Sequence, residues 1–302
     1  MSAHSDIDVR MKKNYEHPYR IYLTRRVPVI VRIDGKAFHT FTKGFDRPFD
    51  IIMIRAMQDT MKYLCENIMG CQIGYCQSDE ISLFLKDYQN FQSQPYFDYN
   101  IQKISSICAS MATLAFNKSF ASYVEYDKNM SIDNNMELED DDIINTKYKD
   151  IMMKHEEALK KGAMFDCRCF NVPKEEVTNY FYSRQLDASR NSVEMVGRAY
   201  FSHKELHNKN NSTIQDMLHE KFNINWNNFP TVQKRGSCCI KKYYSLKDGQ
   251  ELTDEDLVNY TDKIKMLDEN TEDATIRSKW IIDYNIPQFK GEGREYIEKY
   301  VD

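Results

Sequence analysis

Apolar and polar residues alternate along Val29–Asp34, so that Val29, Val31 and Ile33 fall on one face of an extended chain and Ile30, Arg32 and Asp34 on the other. Pro28, with no N–H to donate, suits the entry to such a strand. Residues 35–46 read as a loop carrying Phe38, His39, Phe41 and a Lys43-Gly44 turn. From Pro48 the period changes: Phe49, Ile52, Met53, Ala56, Met57, Met61, Leu64 and Ile68 recur every three or four residues, which predicts a helix to about Met69. Asp46 is its expected cap, with Pro48 in the first turn. Gly74–Leu85 reads as two short strands turning on Ser78-Asp79. A second helical stripe over 100–120 (Ile101, Ile104, Ile107, Cys108, Met111, Leu114, Ala115) precedes a strand over 164–172. Strand, helix, strand, strand, helix, strand is the order of a ferredoxin-like split βαβ unit, an α+β fold whose antiparallel sheet carries helices on one face.

The remaining stretches show weaker patterns. Residues 127–162 contain Glu137-Leu138-Glu139-Asp140-Asp141-Asp142, five acids in six residues, and read as a solvated insertion without catalytic work. Beyond Pro173, Val177, Tyr180, Phe181, Gln185, Val193 and Val196 predict a helix running toward Leu206. Residues 208–211 break the pattern, and a shorter helix follows over 214–222. Thr231–Leu246 reads as a β ribbon pivoting on Gly236, and Phe229–Lys247, with Lys234, Arg235, Lys241, Lys242 and Lys247 and no acid, is the clearest basic stretch in the chain. The tail from Asp248 to Asp302 is acidic and weakly patterned. The expected division is a catalytic unit over 1–172 and a helical and ribbon part over 173–302.

Charge and composition narrow the function. A net charge of −5 removes any global electrostatic case for nucleic-acid binding, so such a surface has to be local. No run of 18 apolar residues exists, and polar Met1–Arg20 has no apolar core of a secretion signal, which points to the cytoplasm and away from membranes. The eight cysteines match no paired zinc spacing and are expected to be reduced packing residues, with Cys238-Cys239 as the one pair open to a redox reading.

The chemistry lies in two acids. Asp34 ends an apolar strand and Asp79 sits at a hairpin tip, an arrangement that can bring both carboxylates to one sheet edge. Taken singly, Asp-Gly and Ser-Asp are common turn pairs. Taken together they suit phosphoryl transfer, in which two divalent cations about 3.5–4 Å apart offset phosphate charge and activate the attacking oxygen. Magnesium takes oxygen ligands, one or two carboxylates with substrate phosphates completing its shell. Gly35, lacking a Cβ, allows close approach of a backbone carbonyl to a metal or triphosphate. Arg32, Lys36, Lys43, Arg47 and Arg168 are candidate partners for triphosphate oxygens, although Arg168 is also placed for an ion pair with Asp166. His39 is a candidate proton shuttle or base contact, or a packing partner of Phe38 and Phe41, and Lys234 and Arg235 are candidate RNA-phosphate contacts.

Arg32-Ile33-Asp34-Gly35-Lys36-Ala37-Phe38-His39, Tyr75-Cys76-Gln77-Ser78-Asp79-Glu80, Phe165-Asp166-Cys167-Arg168 and Ser183-Arg184-Gln185-Leu186-Asp187 together resemble the tRNA-His guanylyltransferase family. The resemblance runs in order from about Arg10 to Arg235. It implies a polymerase-like palm and 3′-to-5′ nucleotide addition to tRNA, with ATP and GTP or other nucleoside triphosphates as substrates and two Mg2+ ions. Asp34, the Gly35 carbonyl and Asp79 would hold the metals, with Glu80 supporting the catalytic pair. Arg32, Lys36, His39, Lys43, Ser78 and Arg168 would meet the nucleotide, and Arg184, Asn191, Lys234 and Arg235 the RNA. The family also implies a homo-tetramer. Where its eukaryotic members carry His-Ile-Asn-Asn, this chain has Ser189-Arg190-Asn191-Ser192, and so looks more like the Thg1-like proteins that repair 5′-truncated tRNA by templated addition. Non-templated guanylylation of tRNA-His, a nucleotide cyclase-like reaction and an inactive tRNA-binding palm are the alternatives.

Overall fold

The computed structural model describes residues 6–133, 142–245, 251–252 and 276–302. Its strands are β1 (Val29–Gly35), β2 (Cys71–Gln77), β3 (Glu80–Leu85), β4 (Phe165–Asn171), β5 (Ser237–Ser245), β6 (Glu251–Leu252) and β7 (Ile276–Asp283). They form one sheet in the order β4-β1-β3-β2-β5-β6, with β7 also pairing β5, and every pair is antiparallel. The first four strands with their two crossing helices are the split βαβ unit that the alternation predicts. Helices α1 (Asp6–Met11), α2 (Phe38–Phe41), α3 (Ile51–Asn67), α4 (Ile101–Asp133), α5 (Asp142–Lys161), α6 (Lys174–Tyr200), α7 (His203–Leu206), α8 (Asn211–Phe222) and α9 (Thr231–Arg235) surround it. Among the described residues no helix is long and apolar enough to cross a membrane.

Alternation along β1 assigns its side chains to two cores. Val29, Val31 and Ile33 pack with α3 and α4 residues such as Met57, Met61, Cys108 and Phe116. Ile30, on the opposite face, packs with Phe84 and with Val177 and Phe181 of α6. The first face is closed by α3 and α4 and the second by α6, and burial of these large side chains contributes roughly 1.5–3 kcal/mol apiece.

Several elements differ from the expectation. Asp50, not Asp46, caps α3 by accepting the Met53 N–H at 2.9 Å, and Asp46 instead donates its own N–H to Asp50. α4 runs on to Asp133, and its buried stripe extends past 120 to Val124: Phe116, Phe120 and Val124 follow one another at four-residue spacing. The stretch read as a solvated insertion folds back as α5, burying His155 and Ala158. Apart from Asp142 at the start of α5, the acidic run lies outside the described residues, as does Lys247. The expected ribbon from Thr231 is one helical turn followed by β5. Gly236 makes that change of direction at φ 84°, where a Cβ would stand 2.3 Å from the Cys76 carbonyl oxygen. The tail supplies β7 and buries Phe289 and Ile297 in the second core. Cys238 and Cys239 belong to opposite faces of β5, so their side chains point apart, and all eight cysteines are free.

Candidate active site

Pairing register arranges charge across the sheet in rows. Asp34 stands between Glu80 of β3 and Asp166 of β4, while two residues back Arg32 stands between Ser82 and Arg168. An acidic row therefore lies next to a row with two arginines on the same sheet face. Burial raises the Asp34 carboxyl above its ordinary range, Glu80 and Asp166 add to this, and Arg32 and Arg168 oppose it.

Asp79 reaches the same place from the β2–β3 turn, in which Ser78 adopts a left-handed φ of 49°. The Gly35 N–H donates to the Asp79 carbonyl oxygen at 3.1 Å, fastening the end of β1 to that turn. Gly35 itself faces Phe38, whose ring would lie 2.2 Å from an added Cβ, so glycine is required by packing whatever else it does. Burial pushes the Asp79 carboxyl up to about 6, with the Asp34 charge as the next cause and hydrogen bonding to its own backbone N–H and to Ser78 working against it. Two partly buried carboxylates, each with its affinity for protons raised, Asp34 by burial and Glu80, and Asp79 by burial and Asp34, form a site suited to a cation. Carboxylates without thiolate or imidazole are a hard oxygen donor set, the kind magnesium prefers. Among the described residues no group of three or more His, Cys, Asp and Glu is arranged around a metal position, so substrate oxygens or backbone would have to complete the shell.

One consequence concerns stability. The folded-state value of Asp79 lies above the ordinary 3.8, so the native fold binds this proton more tightly than the unfolded chain and loses stability as pH rises through about 6. Asp79→Asn is expected to stabilise the metal-free protein at neutral pH by about 1–2 kcal/mol after solvent screening. Melts in EDTA check this: the gain should shrink as the buffer approaches about pH 4.

Asp79 and Gly35 open onto a cavity of about 610 Å³, within the size range of small-molecule sites. Three segments wall it. In the first, Phe38 and Phe41 of α2 bury their rings among Phe116, Phe120 and Phe165, which leaves His39 and Lys43 exposed on the cavity side with Arg47 beyond. In the second, α6 presents Ala188, Asn191, Ser192, Met195 and Arg198, a one-face spacing of three and four residues. The third is α9, held onto β2 by Tyr75, whose hydroxyl donates to the Arg235 carbonyl at 2.7 Å. It contributes Gln233, Lys234 and Arg235. Burial, with Arg235 beside it, lowers the Lys234 ammonium. Five lysines and arginines thus face a space that Asp79 also lines, a distribution suited to a polyphosphate bridged to that carboxylate by cations.

Of the residues singled out in the sequence, Gly35, His39, Lys43, Arg47, Ser78, Asp79, Asn191, Lys234 and Arg235 line this cavity, while Asp34 is not among its lining residues. Others do not. Glu80, 3% exposed, is gripped by two arginines: Arg32 donates to it at 2.7 Å, and Arg184 at 2.7 and 2.9 Å. Arg184, expected to face RNA, instead points at the sheet because α6 lies across that face, and it also pairs with Asp187 at 2.8 Å. Asp187 in turn takes contacts from Arg190 and, at 3.5 Å, from Asn191, linking the Glu80 pair to the cavity wall. Arg168 pairs with Asp166 at 3.1 Å with both side chains more than half exposed. Lys36 is exposed outside the cavity, its N–H donated to the Met164 carbonyl. Arg198, Gln233 and Asp50 line the cavity and were missed; the α6 spacing from Ala188 to Arg198 is the signal that carries Arg198.

Comparison with known proteins gives a consistent result. The family model described as tRNAHis guanylyltransferase matches residues 9–173. The chain is 29% identical over 243 residues to a probable tRNA(His) guanylyltransferase of Dictyostelium discoideum, covering 76% of this chain and 80% of that protein. A bacterial tRNA(His) guanylyltransferase (Thg1)-like protein solved in complex with ATP superposes with a TM-score of 0.72 at 38% identity, over 98% of this chain and 99% of that one. The structure of such a bacterial protein with GTP gives a TM-score of 0.68 at 36% identity, with the same coverage.

Proposed function

Since the chain belongs to the tRNAHis guanylyltransferase (Thg1) family of nucleotidyltransferases, we propose that it extends tRNA 5′ ends in the 3′-to-5′ direction with the opposite strand as template. The observation that carries this reading is the Gly35–Asp79 tie, which joins two acid-bearing strand ends at the mouth of a nucleotide-sized cavity with basic walls. Similarity across nearly its full length to a bacterial Thg1-like protein, and Ser189-Arg190-Asn191-Ser192 in place of a histidine-bearing motif, favour templated repair over guanylylation of tRNA-His alone. The ATP and GTP complexes of the bacterial proteins support a nucleotide as the occupant of the cavity here.

Asp34, Asp79 and the Gly35 carbonyl would hold the magnesium ions, whose chemistry when bound is to offset phosphate charge and activate the attacking oxygen. His39, Lys43 and Ser78 orient the nucleotide, and Lys234 and Arg235 neutralise triphosphate or RNA phosphates at the α9 wall. Arg32 acts from beneath, holding Glu80 next to Asp34, while Asn191 faces the entering RNA end. Lys36 and Arg168, exposed near the Asp34 end of the sheet, would meet phosphates outside the cavity, Arg168 by exchanging its pair with Asp166. In the first step a 5′-phosphate oxygen attacks the α-phosphorus of ATP, and pyrophosphate leaves. In the second the 3′-hydroxyl of an incoming nucleotide attacks the 5′-phosphorus of the activated end, and AMP leaves. The first step is open to a direct test: 5′-monophosphorylated tRNA should acquire label from ATP labelled at the α-phosphate, and EDTA should stop it. Absence of labelling on 5′-monophosphorylated tRNAs, truncated and full-length alike, contradicts the proposed activation.

A further inference from the structure

The Asp46–Asp50 wall of the cavity is held from behind by α5, the helix that follows the acidic run. His155 of α5 is 2% exposed, and its Nε2 lies 2.8 Å from Asp50 Oδ2. The same carboxylate accepts the Asp46 N–H at 3.1 Å through Oδ2 and the Met53 N–H at 2.9 Å through Oδ1. Asp50 therefore joins three things: the start of α3, the loop before it and α5. Its carboxyl is raised by burial, yet the His155 hydrogen bond and charge and the two backbone donors outweigh this and hold it below its ordinary value. Asp50 is thus a carboxylate and His155 Nε2 the donor. The imidazole edge also packs on Phe45, with centroids 4.5 Å apart, and on Phe120 at 5.7 Å. Its Nδ1 is buried without a partner among the described residues, so among these the ring's one hydrogen bond is to Asp50. At the rim Lys147 of α5 pairs with Asp46 at 3.0 Å, and the Lys154 side chain packs against Gly44. Phe45, Asp46 and Asp50 line the cavity, while His155 does not.

We propose that His155 is a positioning residue for nucleotide binding, setting through Asp50 the wall of the cavity formed by residues 45–50. The inference rests on the nucleotidyl-transfer reading above. A side chain that holds the wall without touching the ligand affects how well the cavity fits its nucleotide, and leaves the carboxylates on β1 and the β2–β3 turn where they are. Loss of a buried hydrogen bond to a charged group therefore appears chiefly in affinity.

The experiment measures binding of ATP in the presence of Mg2+, and steady-state addition, at a temperature at which every variant is folded. His155→Phe keeps the ring packing and removes the donor; its Kd and KM for ATP should rise about tenfold or more, with kcat changed by less than about twofold. His155→Gln, which carries an amide donor near the Nε2 position, should recover affinity to within about threefold of wild type. Asp50→Asn combined with His155→Phe should be no weaker than Asp50→Asn alone, since both act at one contact. If His155→Phe does not fold, His155→Asn, which is too short to reach Asp50, is expected to show the same loss. Wild-type ATP affinity in either folded variant overturns the inference. No ATP binding by the wild-type chain overturns the inference and the functional reading together.

Discussion

Asp34→Ala is expected to lower kcat/KM for tRNA extension by on the order of a thousandfold or more, and Asp79→Ala to do the same. A thousandfold is about 4 kcal/mol of transition-state stabilisation, a plausible share for one of two carboxylates holding the cations of a phosphoryl transfer. Neither change should unfold the protein. Asp34 is raised by burial and by Glu80, and Asp79 by burial and by Asp34, so in the absence of metal the charge of neither carboxylate supports the fold. The two variants should therefore melt at or above the wild-type temperature in EDTA, and should lack the stabilisation that added Mg2+ is expected to give the wild-type protein. An inactive variant that also melted well below wild type in EDTA would mark these acids as structural.

Glu80 presents the opposite balance, although it stands next to Asp34 in the sheet. Its side chain is 4% exposed, with Arg32 at 24% and Arg184 at 17%, and it takes charge-assisted hydrogen bonds from both. Glu80→Ala leaves the partly buried Arg32 without its carboxylate and Arg184 with Asp187 alone. The expected cost is about 3 kcal/mol, toward the low end for a broken buried pair because both arginines retain some solvent. A urea titration reads this as a fall in midpoint at unchanged slope. Glu80→Gln should cost less and should move the melting temperature more than the Mg2+ concentration needed for half-maximal rate. A large rise in that concentration without loss of stability would instead make Glu80 a direct metal ligand.

The sequence made the local half of this account legible. Period-two alternation places Arg32 and Asp34 on one face of β1, and the register confirms it by setting them beside Arg168 and Asp166. The hairpin at Ser78-Asp79 and the stripes of α3 and α4 follow from the same reasoning. What stayed hidden depends on contacts between distant parts of the chain. Arg184 and Glu80 are 104 residues apart, and no local pattern says that α6 crosses the face of the sheet that carries Glu80. β7 joins β5 after a long gap, so its strand character rests on pairing that a tail of mixed composition does not advertise. For α5 a signal existed: Tyr148, Met152, His155 and Leu159 recur at helical spacing, but the neighbouring acidic run drew the reading toward solvent. Asp46 and Asp50 are equivalent as capping residues in sequence, and only the geometry of the loop decides between them.

Templated addition is tested most directly by changing the template. A tRNA lacking its 5′-terminal nucleotide is prepared in four forms that differ only in the base opposite the missing position, and each is incubated with the protein, Mg2+, ATP and all four nucleoside triphosphates. The account predicts that the nucleotide added changes with the opposing base and is its Watson–Crick complement in each form. Addition of guanosine whatever base stands opposite, or no addition to any of the four, contradicts it.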